Sequence, residues 1–111
     1  MAFTTEELTG GITKVTLGGR LDIDGAAAVD SQMNMIAGSR KAVLVDLRGV
    51  SYLGSMGLRA LVAPARALKS RGGKMVLFGP NDFVDKVLKA SGINTMIPVH
   101  YEMKSALAAL E

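Results

Sequence analysis

Cysteine is absent from the 111 residues, and so is tryptophan. Without cysteine there are no disulfides, no thiolate nucleophile and no zinc–cysteine site, and a cytoplasmic location is the expectation. Aromatic residues make up 5% of the chain and apolar residues 49%, so aliphatic side chains and alanine have to build the core. A single histidine, His100, is the only imidazole available as base or ligand. No apolar run approaches the ~18 residues of a membrane span, so no membrane insertion is expected. The N-terminus lacks the basic-then-apolar pattern of a signal peptide. No stretch has the composition of a disordered segment, because charges are ordinary in number and mixed in sign. The net charge of +3 makes the chain mildly basic, but Lys and Arg are scattered and not interleaved with aromatics. Nucleic-acid binding is therefore not expected, nor is a metal or a cofactor.

What is present reads as alternating strands and helices over one domain, residues 1–111. Phe3–Leu8 and Ile12–Leu17 flank Thr9-Gly10-Gly11 and predict a β-hairpin. Asp24 is the expected N-cap of a helix over Gly25–Ala37, with Val29, Met33 and Ile36 on one face and Gly38 as its stop. Ala42–Leu47 is an apolar run broken only by Asp46, as in a central strand covered on both faces. The helix that follows places Leu58, Leu61, Val62, Ala65 and Leu68 together, bends at Pro64 and ends at Gly72-Gly73. Lys74–Phe78 is the next strand. A helix over Asp82–Ala90 is expected to bury Phe83, Val84, Val87 and Leu88. Met96–Val99 is a short edge strand marked by Pro98, and Glu102–Leu110 the last helix. The fold class is thus α/β: a mixed four- to five-stranded sheet, with an antiparallel N-terminal hairpin and otherwise parallel strands, packed with about four helices.

One loop concentrates the chemistry. Beyond the central strand, Ser55 sits between Gly54 and Gly57 at the expected start of a helix, where an N-cap serine is common. In open α/β sheets the functional loops lie beyond the strand C-termini, and Asp22 and Asp24 reach the same end. A serine nucleophile would need the Gly-x-Ser-x-Gly elbow and a base. Leu53 occupies the first glycine position, and His100 lies near an edge strand far along the chain. No catalytic residue is assigned. The Gly-x-x-x-x-Gly-Lys-[Ser/Thr] and Gly-x-Gly-x-x-Gly phosphate loops are absent. Two readings of Ser55 stand beside each other: a simple helix cap, and a phosphorylation switch. A phosphate adds about −1.5 to −2 charge, which a helix N-terminus tolerates and a partner packed over the loop does not.

The chain resembles the STAS domain, specifically the bacterial anti-sigma factor antagonist family, over essentially its whole length. Gly19-Arg20-Leu21-Asp22 is similar to the family's Gly-x-Leu-Asp. Val45-Asp46-Leu47 and Val50-Ser51-Tyr52-Leu53 are similar to its central strand and loop. Gly54-Ser55-Met56-Gly57-Leu58 sits at its Asp-Ser-[Ser/Thr]-Gly-Leu signature. Gly73-Lys74-Met75-Val76-Leu77 and Leu88 with Ser91-Gly92 also match. The resemblance implies a non-enzymatic module that binds an anti-sigma factor which is also a serine kinase. Phosphorylation of Ser55 would switch it off, and a serine phosphatase would restore it. It further implies a partner surface around Asp22, Asp24, Tyr52, Gly54, Ser55, Met56, Gly57 and Arg59, with Asp22 shaping the loop or meeting the kinase. A monomer is the expectation. Gly54 replaces the signature's acidic residue and Met56 its second Ser/Thr. Both departures favour the alternative, a non-switching STAS subunit of a transport ATPase or of a larger signalling complex.

Overall fold

Gly10 and Gly11 both lie at positive φ, 82° and 75°, which glycine adopts without strain. They turn the chain between β1 (Ala2–Leu8) and β2 (Ile12–Leu21). The elements that follow are α1 (Ile23–Ser39), β3 (Ala42–Leu53), α2 (Ser55–Ser70), β4 (Lys74–Phe78), α3 (Asp82–Ser91), a 3-10 turn (Ile93–Thr95), β5 (Val99–His100) and α4 (Met103–Ala109). This computed structural model describes residues 1–111. The five strands form one sheet in the order β1-β2-β3-β4-β5. The β1–β2 pair is antiparallel and every other pair is parallel. The expected α/β architecture is therefore the observed one, with β3 in the middle.

Alternation along β3 explains the layers. Val43, Val45 and Leu47 point to one face, where they join Val29 and Met33 of α1, Leu61 and Leu68 of α2, and Val84 and Leu88 of α3. Leu44 points to the other face and meets Ile12, Val76, Phe78 and, from α4, Ala106. Three helices thus cover one face and one short helix part of the other. Truncating a fully buried leucine such as Leu61 costs about 2–5 kcal/mol in cores of this kind. Asp46, on the thinly covered face, is the buried carboxylate of this layer, with Lys14 Nζ 3.7 Å away. Burial opposes its ionisation. Hydrogen bonds from the Arg48 backbone N–H and guanidinium, at 3.0 and 2.8 Å, outweigh that and hold the carboxyl below its ordinary range.

Several boundaries differ from expectation, each for a local reason. β2 and β3 run on to Leu21 and Leu53, because their pairing continues past the bulges at Gly18 and Gly19. The cap of α1 is Asp22, not Asp24: its Oδ1 accepts from the Gly25 N–H at 2.9 Å, and Asp24 falls in the first turn. The helix passes through Gly38 and ends at Ser39. Pro64 lies inside α2 without breaking it; the bond lost there is one rung of a well-packed helix. Phe83 is not buried but 49% exposed, since Asn81 caps α3 and starts it with Phe83 turned outward. The last strand is Val99–His100, not Met96–Val99. Met96 and Ile97 instead close the 3-10 turn by donating their N–H groups to the Ile93 carbonyl.

Candidate functional site

β2 and β3 run parallel and end together, with Arg20 opposite Tyr52 and Leu21 opposite Leu53. A helix leaves each strand end at once. The Gly54 N–H donates to the Leu21 carbonyl at 3.2 Å and ties the two exits together. Both helices press against strand backbone, and this dictates two glycines. A Cβ on Gly25 would lie 2.0 Å from the Arg20 carbonyl oxygen, and one on Gly57 2.3 Å from that of Leu21. No larger residue fits without moving a helix.

The two helix starts frame a cleft of about 380 Å³ lined by Arg20, Asp22, Ile23, Asp24, Tyr52, Gly54, Ser55 and Met56. Of the residues expected at the site, Asp22, Asp24, Tyr52, Gly54, Ser55 and Met56 meet here. Gly57 is buried beneath, as the contact that seats α2. Arg59 lines the adjoining groove between α1 and α2 with Ile23, Ala27, Asp30, Met56 and Ala63. His100 lies away from the cleft, on β5, with Nδ1 3.2 Å from the Ser105 hydroxyl. The cleft holds neither histidine nor lysine.

Ser55 is exposed and is the first residue of α2. It does not cap the helix, contrary to the expectation: Gly54 occupies the N-cap position and no side chain bonds there. The reason is the stitch from Gly54 to Leu21, which fixes Gly54 as the last extended residue. The first N–H groups of α2 therefore lack a side-chain acceptor, no acidic residue sits in the first turn, and the positive end of the helix opens beside a free hydroxyl. Asp22 is ionised more readily than an ordinary aspartate, first because it accepts from the Gly25 N–H and then because Arg20 Nε lies 3.4 Å from its other oxygen.

Exposed apolar side chains share the cleft with the hydroxyl. Ile23 is 70% exposed and Met56 39%. Tyr52 stacks on Phe83 with ring centroids 5.8 Å apart, and the Arg20 guanidinium lies over the Tyr52 ring at 4.3 Å. Sequence reasoning missed Arg20 and Phe83 as members of this surface. Arg20 could have been found from strand alternation, since it faces opposite to the buried Leu21. Phe83 follows an Asn-Asp cap pair, and nothing in the helical period marks its outward turn.

Comparison with known proteins agrees with this layout. The STAS domain model matches residues 5–106. The anti-sigma-F factor antagonist RsfB of Mycobacterium tuberculosis is 31% identical over 91 residues, 81% of this chain, and the chain spans 65% of that relative's length. The anti-sigma F factor antagonist of Paenibacillus polymyxa is 26% identical over 103 residues, 91% of this chain and 88% of the relative. A crystal structure of an anti-sigma factor antagonist from Mycobacterium paratuberculosis superposes with a TM-score of 0.84 at 26% identity, covering 98% of this chain and 94% of the other. Fold, match and relatives agree that this chain belongs to the STAS domain family and is similar within it to anti-sigma factor antagonists.

Proposed function

We propose that this chain is an anti-sigma factor antagonist that works by partner switching, and that Ser55 is its switch. The observation that carries the reading is an exposed serine at an uncapped helix start, in one cleft with the exposed apolar side chains of Ile23 and Met56. In the unmodified state this surface docks on an anti-sigma factor, which releases its sigma factor. The docked partner is also a serine kinase. The Ser55 Oγ attacks the γ-phosphorus of the kinase's ATP, the bond to the bridging oxygen of ADP breaks, and the hydroxyl proton passes to a base of the kinase. The fold tolerates the product, because the α2 N-terminus favours negative charge. The interface does not, because a docked partner would bury the phosphate's charge against the apolar side chains of Ile23 and Met56, at a desolvation cost. A serine phosphatase returns the hydroxyl by hydrolysis.

The remaining residues take supporting roles. Asp22 fixes the start of α1, and Asp24, exposed in its first turn, meets the kinase. Gly54 keeps the approach to Ser55 open, and Arg59 borders the partner surface on the α2 side. The test is incubation with the cognate anti-sigma kinase and ATP. The expected result is one phosphate per chain, absent from Ser55→Ala, which stays bound to the kinase. Undiminished labelling of Ser55→Ala contradicts the assignment, and recovery of a transport ATPase in place of a kinase would establish the non-switching subunit.

A further inference from the structure

The cleft beside Ser55 contains one cation and two carboxylates: Arg20, Asp22 and Asp24. Arg20 is held loosely. Its Nε makes a single contact of 3.4 Å with Asp22 in exposed surroundings, and its guanidinium rests on the face of Tyr52. Asp22 keeps its structural bond to the Gly25 N–H through its other oxygen, so it does not need Arg20 to hold α1. The Tyr52 ring lies against Gly54, where a Cβ would stand 3.1 Å from the ring edge, and Gly54 directly precedes Ser55. The guanidinium therefore sits on a ring that itself borders the acceptor.

We infer that the Arg20 guanidinium pairs with the phosphate on Ser55 once that residue is phosphorylated, and leaves Tyr52 to do so. The inference rests on the reading of Ser55 as the phosphoacceptor. A phosphate dianion offers a guanidinium two parallel charge-assisted hydrogen bonds. An edge contact with one carboxylate and the face of a phenol ring offer less. The consequence reaches beyond the modified residue. Tyr52 stacks on the exposed Phe83 of α3, so withdrawing Arg20 changes the charge and the cover of an aromatic surface that the phosphate itself does not occupy. One modification then alters two parts of the same docking surface.

Arg59 is the competing cation. It follows Ser55 by four residues on α2, and helical side chains lean back toward the N-terminus. It lines the neighbouring groove with Asp30, however, and not the cleft of Ser55. The two are separated by protein carrying phosphoserine at position 55, inserted during synthesis so that no kinase is involved. Phosphorus NMR then follows the second ionisation of the phosphate against pH, with Asp22, Asp24, Arg20 and Arg59 as the charged groups around it. In Arg20→Gln that pKa is expected to rise by about half a unit or more above the unsubstituted chain, in Arg20→Lys by less, and in Arg59→Gln not at all. The Tyr52 ring resonances are expected to move on phosphorylation only when Arg20 is present. An unchanged phosphate pKa in Arg20→Gln, a rise carried by Arg59→Gln, or Tyr52 resonances indifferent to the phosphate would each overturn the inference. Arg20 is exposed, and an amide spectrum matching that of the parent shows that the variants fold. A kinase that never modifies Ser55 would sink the switch and leave this result standing.

Discussion

α1 and α2 leave the same end of the sheet side by side, yet they begin in opposite ways. α1 is closed by its own chain: Asp22 bonds the Gly25 N–H, and Asp24 adds charge to the first turn. α2 opens on Gly54 with no side-chain cap and no acid in its first turn. Both are seated equally firmly, since Gly25 and Gly57 press on the carbonyls of Arg20 and Leu21. The difference is therefore not one of seating on the sheet. A capped start satisfies itself. An uncapped one leaves its first N–H groups and its positive end open beside an exposed serine. The first builds the cleft wall, and the second presents the hydroxyl.

Breaking the shared seat has the largest expected effect. Gly57→Val drives a side chain into the Leu21 carbonyl, and α2 has to move. A loss of about 3 kcal/mol in denaturant unfolding is expected, together with loss of partner binding. A variant as stable as the parent would show that the close approach does not hold α2.

Removing the cap of α1 comes next. Asp22→Ala is expected to lower Tm by a few degrees, measured calorimetrically. The sign of its pH dependence follows from its lowered pKa. The stabilising contribution is present above the unfolded aspartate value of about 3.9 and is lost as pH falls through the lower folded value. The Tm difference between parent and Asp22→Ala should therefore shrink below about pH 4. A difference constant from pH 7 to pH 3 would assign the effect to packing instead.

Giving α2 the cap it lacks is the smallest change. In Gly54→Asp the carboxylate accepts from the first turn, and the Tyr52 ring, 3.1 Å from the new Cβ, has to give slightly. A gain of about 0.3 kcal/mol is expected, with the unfolding midpoint as the measure. A loss would mean that the ring cannot yield and that glycine is required there for space.

The same contrast shows how far the sequence alone reaches. The glycine turn was enough for the hairpin, the unbroken apolar run for the central strand from Ala42, and helical periodicity for the face of Leu58, Leu61 and Leu68, because burial on one side imposes the period there. The meeting of Asp22, Asp24 and Ser55 followed from their shared place beyond strand ends, and Tyr52 joined them only through the family resemblance. The caps did not follow. Asp24 and Ser55 have the right residue types, but tertiary contacts decide which residue is the last extended one: the Gly25 contact with Arg20 in α1 and the Gly54 bond to Leu21 in α2. Phe83 escaped for a similar reason, since its contact is Tyr52, a residue distant in sequence, whereas the outward face of Arg20 was within reach of strand alternation. The residues that make the start of α2 open rather than closed are thus legible only in three dimensions.

The central claim is that a charge on Ser55 changes binding and not folding. The direct measurement is the Kd for the cognate anti-sigma kinase of two forms of this chain, one with serine and one with phosphoserine at position 55, each with its Tm. The expected result is a Kd weaker by about 100-fold or more in the phosphorylated form, with Tm unchanged or slightly raised. Equal affinities for the two forms would contradict the account.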